Sequence, residues 1–255
     1  MNISWIFTEL DFMRRFRAAR KHGFNGVEIL FPYQYDKSEI YDQLRLNNLE
    51  LVLLNMPPGQ LENGDRGLAC DPNRVGEFQD SVELAIDFAK NLDCRNMHCM
   101  AGIKPSGFNN AQLQQTFIEN LIFAADEAAK EGITVLLEPI NFFDIPNYFL
   151  NYSDHGISII KELNKTNVKL QYDVYHMQIM EENLTSQILK HIEYIAHFQI
   201  ADNPGRHEPG TGEINYQRIF NLIDNLSYRG WVGCEYNPLK NSETSLNWIK
   251  QLNDN

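Results

Sequence analysis

Four side chains in the second half of the chain stand at the ends of apolar, strand-like runs: Glu138 in VLLEPIN, Asp173 in VKLQYDVYH, Gln199 in AHFQIADNPGRHEP and Glu235 in WVGCEYNP. They lie 35, 26 and 36 residues apart, close to the roughly 30 residues that a strand, a helix and two loops occupy in an eightfold β/α barrel. Parallel strands would bring all four to one end of the sheet. Three carboxylates gathered there repel one another unless a cation or protons compensate, so the spacing predicts a divalent metal site on Glu138, Asp173, Gln199 and Glu235. An all-oxygen donor set favours Mg²⁺, or Mn²⁺, over Zn²⁺, which prefers nitrogen and sulfur.

Each of these residues also has a plainer use. A strand-end glutamate can pair with a neighbouring lysine or arginine, Asp173 can cap a helix, and Gln199 can be a buried amide satisfying backbone groups. Around them stand further polar groups of the right type for a small-molecule pocket. His176 follows Asp173 by three residues and could donate to a substrate oxygen or support the metal site. Arg206 and His207 sit between glycines and prolines in NPGRHEPGTGE, Arg66 in NGDRGLA, and Lys104 in MAGIKP. These cationic groups suit a substrate carboxylate, Arg by a two-point contact. His98, in the apolar run NMHCM, is either a pocket residue or a core histidine.

The elements that must position these residues follow from hydrophobic period and breakers. Strands are expected at 2–7, 26–31, 49–55, 95–100, 133–138, 168–173, 194–200 and 231–235. Helical sequence lies between them, near 9–22, 37–47, 73–91, 110–131, 154–164, 184–192, 215–226 and 242–252. Eight strand–helix units with no Gly/Ser linker read as one (β/α)8 TIM barrel over residues 1–255; an open doubly wound sheet shares the alternation but not the count. The long irregular segments follow the third, fifth and seventh strands, at the end of the barrel where loops carry active sites.

Bulk properties narrow the chemistry. The formal charge of -12 and pI near 5.0 argue against nucleic acid or an anionic membrane as partner. No stretch approaches the roughly 20 apolar residues of a membrane span. Four cysteines without a CxxC pair read as reduced thiols, and the N-terminal segment lacks a signal peptide's apolar run; the expected location is the cytoplasm. Neither GxGxxG nor GxxxxGK[ST] occurs, so no nucleotide cofactor is implied, and there is no GxSxG elbow.

These residues lie within longer motifs: GFNGVEILFPY at 23–33, NMPPG and GDRGLA at 55–69, HCMAG at 98–102, LLEPIN at 136–141, YFLN at 148–151, LQYDVYHMQIMEENL at 170–184, QIADNPGRHEPGTGEINY at 199–216 and GWVGCEY at 230–236. In them the chain resembles the hydroxypyruvate isomerase family, within the barrels similar to xylose isomerase and the ketose 3-epimerases, over nearly its whole length. The resemblance implies a divalent ion held by Glu138, Asp173, Gln199 and Glu235, with both glutamates also moving protons. Many of the wider group carry histidine where Gln199 stands. Some members with these motifs act on 2-oxo-tetronates, so the expected substrate is a small anionic hydroxy-oxo acid, either hydroxypyruvate or a 2-oxo-tetronate. The expected reaction shifts a carbonyl through an enediolate, with His176 on a reacting oxygen and Arg66, Arg206, Lys104 or His207 on the carboxylate. A ketose 3-epimerase, a metal-dependent endonuclease and a non-catalytic sugar-acid binder are the competing readings, and a homo-oligomer is left open.

Overall fold

The computed structural model describes residues 1–253. Seven parallel strands form one sheet in sequence order: β1 (Gly26–Ile29), β2 (Glu50–Asn55), β3 (Asn96–His98), β4 (Thr134–Leu137), β5 (Val168–Asp173), β6 (Ile195–Ile200) and β7 (Trp231–Cys234). Helices alternate with them: α1 (Phe12–Lys21), α2 (Lys37–Leu46), α3 (Val75–Asn91), α4 (Asn110–Ala129), α5 (Ser153–Leu163), α6 (Val174–Met180), α7 (Leu184–His191), α8 (Tyr216–Asn225), α9 (Ser242–Ser245) and α10 (Trp248–Asn253). The expected barrel is therefore present. Among the described residues no helix is long and apolar enough to cross a membrane.

The eighth strand is the main departure. Residues 2–7 were expected to be extended, but only Asn2 joins the sheet, in a single parallel bridge to Glu28. That bridge still closes the ring. Asn2 N–H donates to Cys234 O on β7 (2.9 Å), while Glu28 N–H donates to Met1 O (2.9 Å) and Ile3 N–H to Glu28 O (3.0 Å) on β1. The chain then turns, with Trp5 and Ile6 N–H both donating to Asn2 O (3.3 and 3.1 Å), which carries Trp5 over the barrel mouth instead of along its wall. Two smaller differences occur in helices. The stretch after Asp173 forms α6, and the expected 242–252 helix is split into α9 and α10.

Helix positions follow from apolar spacing. In α3 the buried Phe78, Val82, Ala85 and Ala89 recur at helical intervals and face the sheet; α4 opens with a reciprocal capping box between Asn109 and Gln112. The strands alternate differently. In β5, Leu170 and Tyr172 lie in the apolar core, whereas Gln171 and Asp173 share the other face and bond to polar groups inside the barrel. In β6 the same alternation sets Phe198 and Ile200 against His197 and Gln199. Register pairs Gln171 with His197 and Asp173 with Gln199.

The barrel interior thus holds a polar layer. Glu28, fully buried on β1, accepts from Gln199 Nε2 (2.8 Å) and meets His197 Nε2 (2.8 Å) and Asn2 Nδ2 (3.4 Å). Although burial favours its neutral form, His197, the N-terminal ammonium and Gln199 together hold the Glu28 carboxyl below its usual range. Space for Glu28 comes from Gly233, where a Cβ would overlap the Glu28 carboxylate. Gly233→Ala is accordingly expected to lower stability by about 1–3 kcal/mol, read as a lower denaturant midpoint with unchanged slope; an unchanged midpoint contradicts this packing.

Candidate active site

Directly above the polar layer, the three predicted carboxylates converge. Glu138 and Glu235 each follow the last residue of a strand, β4 and β7, and Asp173 ends β5. All three are buried, at 6, 6 and 0% exposure. Asp173 does both things its sequence position allowed: Oδ1 accepts from Tyr175 N–H (2.8 Å) to cap α6, and Oδ2 faces the site. Capping spends one oxygen and leaves the other free for chemistry.

Arg206 is the cation among them. Its Nη2 lies 3.2 Å from Glu235 Oε1 and 3.5 Å from Asp173 Oδ2, and the guanidinium is sandwiched between the rings of Trp5 (4.6 Å) and Tyr175 (5.2 Å). Such a position needs an unusual backbone. Arg206 adopts φ +55 in the left-handed region, secured because its carbonyl accepts Asn237 N–H (2.8 Å). The loop itself is wound on Asp202, which accepts from Gly210 and Gly212 N–H on one oxygen (2.8 and 2.9 Å) and from Asn203 and Ile214 N–H on the other (2.9 and 3.1 Å).

Charge in this cluster is unbalanced. Burial, then Glu235 and Asp173, push the Glu138 carboxyl well above the usual range, with Arg206 opposing. Burial raises Glu235 to about 8 and Asp173 to about 6, again against the pull of Arg206. One guanidinium does not compensate three buried carboxylates. Glu138, Asp173 and His176 each place a metal-capable atom within 4.8 Å of the others, a group that could hold a metal ion; because Asn141 leaves the His176 proton on Nε2, the carboxylates are the members with free lone pairs for it. The oxygen-rich donor set and the charge deficit both fit a hard divalent cation.

Gln199 and His176 are each oriented by a neighbour. Because Glu28 can only accept, Gln199 turns its Nε2 toward it and its Oε1 toward Gln171 Nε2 (2.6 Å); an amide oxygen has a second lone pair for a further partner. For His176, Asn141 decides the tautomer. Asn141 Oδ1 accepts from Phe143 and Asp144 N–H (3.0 and 2.8 Å), so its Nδ2 is the atom that meets His176 Nδ1 (2.8 Å). Nδ1 then accepts and Nε2 carries the proton, 3.6 Å from Asp173 Oδ2. Burial, with Arg206 and His98, keeps this imidazole neutral.

A cavity of about 220 Å³ opens on these groups, lined by Glu138, His176, Arg206 and Glu235 together with Arg66 and His98. His98 is buried, its Nδ1 3.4 Å from Glu138 Oε2; burial and His197 hold it down to about 3, so the contact joins a neutral ring to a carboxyl. Lys104 and His207 stand apart from this cavity. Lys104 is exposed on the loop after β3, and His207 Nδ1 meets Asn237 O (2.7 Å), bracing the Arg206 loop. Glu28, Gln171, His197, Asn141 and Trp5 belong to the site or its support without having been singled out in the sequence. Glu28 had a signal, as a lone acid within the apolar run GVEILF; the others look like ordinary strand or loop residues.

The sequence model of the xylose isomerase-like TIM barrel family matches residues 16–252. Among curated proteins the chain is 46% identical over 248 residues to the hydroxypyruvate isomerase of Escherichia coli K12, covering 97% of this chain and 96% of that one. It is 43% identical to a 2-oxo-tetronate isomerase of Cupriavidus necator, covering 98% and 96%. A solved Brucella melitensis structure, described as an AP endonuclease of family 2, superposes with a TM-score of 0.95 at 45% identity, covering 98% and 96%.

The raised carboxyl groups give a pH dependence with a definite sign. In protein freed of divalent ions the raised carboxyls keep protons that the unfolded chain has lost between the ordinary carboxyl range and about pH 8, so their contribution to stability falls as pH rises through that window, while the lowered His98 and His176 act in the opposite direction below the ordinary imidazole range. Urea midpoints of the unaltered protein and of Glu235→Gln at pH 5.5 and 8.0 isolate the carboxyl contribution: the variant is expected to gain on the unaltered protein as pH rises to 8.0. A difference between the two that does not change with pH contradicts the shift assigned to Glu235.

Proposed function

Since the chain belongs to the xylose isomerase-like TIM barrel family, we propose that it is an isomerase of small hydroxy-oxo acids, converting hydroxypyruvate to tartronate semialdehyde or a 2-oxo-tetronate to its 3-oxo isomer. The two curated relatives carry these activities in their names. The observation that carries the mechanism is the pair of buried strand-end glutamates, Glu138 and Glu235, on one small cavity, with Glu235 raised to about 8 and Glu138 raised well above the ordinary carboxyl range. A general acid or base works best when its pKa lies near the operating pH.

One glutamate removes a proton from the hydroxyl-bearing carbon, and the other delivers a proton to the adjacent carbonyl carbon. Transfer of the hydroxyl proton between the two oxygens completes the exchange. His176 Nε2–H, fixed as a donor by Asn141, bonds the oxygen on which charge develops. Arg206 keeps one buried Nε without a protein partner for a substrate oxygen, while its Nη2 steadies Glu235 and Asp173. Glu138, Asp173, Gln199 and Glu235 would hold a divalent ion, Mg²⁺ by their oxygen chemistry, which when bound supplies Lewis acidity toward the substrate's carbonyl and hydroxyl oxygens.

A nuclease reading fits poorly. A 220 Å³ cavity on a chain of charge -12 suits a small molecule and not a duplex, whose phosphates are held by basic side chains. A ketose 3-epimerase would share the two proton carriers and differ in substrate, and a pure binding protein would not need them.

In Mg²⁺-loaded protein, NMR in D₂O should show deuterium entering the carbon skeleton of hydroxypyruvate or a 2-oxo-tetronate during turnover. Glu138→Gln and Glu235→Gln should each reduce turnover by about 10²–10⁴-fold with the fold retained by circular dichroism. Near-normal rates in either variant, or turnover without deuterium uptake, would refute the two-glutamate route.

A further inference from the structure

If the substrate is a hydroxy-oxo acid, its carboxylate needs a cation that the catalytic cluster does not already use. Arg66 and Arg206 are the two arginines among the described residues that line the cavity, and no lysine is among them. The charge of Arg206 is committed to Glu235 and Asp173. Arg66 is differently placed. Its Nη1 donates to two main-chain carbonyls, Asp65 O (2.6 Å) and Leu61 O (3.3 Å), and among the described residues no carboxylate pairs with it. Asp65, the adjacent acid, is claimed by Arg74 Nη1 (2.7 Å) and Gln60 N–H (2.7 Å).

We propose that Arg66 recognises the substrate carboxylate and so makes this site selective for hydroxy-oxo acids over neutral hydroxy-ketones; this rests on the isomerase reading above. With Nη1 pinned to carbonyls, the guanidinium edge formed by Nε and Nη2 remains open, and that edge matches the two oxygens of a carboxylate. Leu61 and Met100 form neighbouring apolar wall, where a charge pair is screened less than in water.

The loop is built to hold the arginine there. Gly67 N–H donates to Pro58 O (2.9 Å) and Cys70 N–H to Ala101 O (2.9 Å), tying the segment after β2 to itself and to the segment after β3. Gly67, at φ +104, lies so close to Met100 that a Cβ would overlap the Met100 carbonyl. Arg66 therefore projects from a braced turn and not from a free loop. A three- or four-carbon acid places its carboxylate one or two bonds from the reacting carbons, and a single small cavity holds Arg66 together with Glu138, His176 and Glu235.

The test pairs two ligands with two side chains in Mg²⁺-loaded protein. Hydroxypyruvate and dihydroxyacetone differ by a carboxylate in place of a hydroxymethyl group. Arg66→Gln should weaken hydroxypyruvate binding, titrated calorimetrically in the Glu138→Gln background, about 100-fold, and change dihydroxyacetone binding less than about 3-fold. With Glu138 intact, Arg66→Gln should raise KM for hydroxypyruvate more than it lowers kcat, and Arg66→Lys should restore part of the loss. Equal weakening of both ligands, or no weakening of either, overturns the assignment. If the unaltered protein turns over no hydroxy-oxo acid while binding still depends on Arg66, the isomerase reading fails and this assignment stands.

Discussion

Three carboxylates buried in the barrel mouth with one guanidinium between them set the terms for the rest of the structure. Burial alone would keep them protonated, and their mutual repulsion reinforces that. A fold does not gather such groups for stability, because replacing buried charges by apolar side chains is often neutral or favourable. What it gains is a site that could hold a divalent cation, with Glu235 raised to about 8 and Glu138 held well above the ordinary carboxyl range. The left-handed Arg206, its aromatic sandwich and the Asp202-wound loop all serve to bring one positive charge to this point.

Orientation below and beside the cluster is enforced by acceptor-only groups. Glu28 cannot donate, so Gln199 must present its nitrogen to it, and the amide oxygen is left on the side of Gln171. Two backbone N–H groups fix Asn141, and Asn141 fixes His176 as an Nε2 donor. Each chain ends at an atom whose partners are otherwise settled, so Gln199 Oε1 and His176 Nε2 are held in place by the protein itself.

Much of this was legible in the sequence, and what escaped has physical reasons. Strand-end positions of Glu138, Asp173 and Glu235 followed from apolar runs stopped by polar residues, because parallel strands align their ends. In residues 2–7 the apolar Ile3 and Ile6 are buried, but in a turn and not a ladder, and hydrophobicity alone does not distinguish the two. Lys104 and His207 have the right charge and stand beside the right motifs, yet side-chain direction depends on loop geometry that composition does not encode. The Glu28–His197 and Asn141–His176 contacts join residues 169 and 35 positions apart; only the closed barrel makes them neighbours.

The proposed site requires that one divalent ion replace protons in the carboxylate cluster. Isothermal titration of Mg²⁺ or Mn²⁺ into ion-free protein at pH 7, repeated in buffers of different ionisation enthalpy, measures this directly. One ion per chain with net proton release is expected, since a cation held by these carboxyl groups displaces the protons that their raised pKa values retain. Binding with no proton release, or no saturable binding at all, would contradict it.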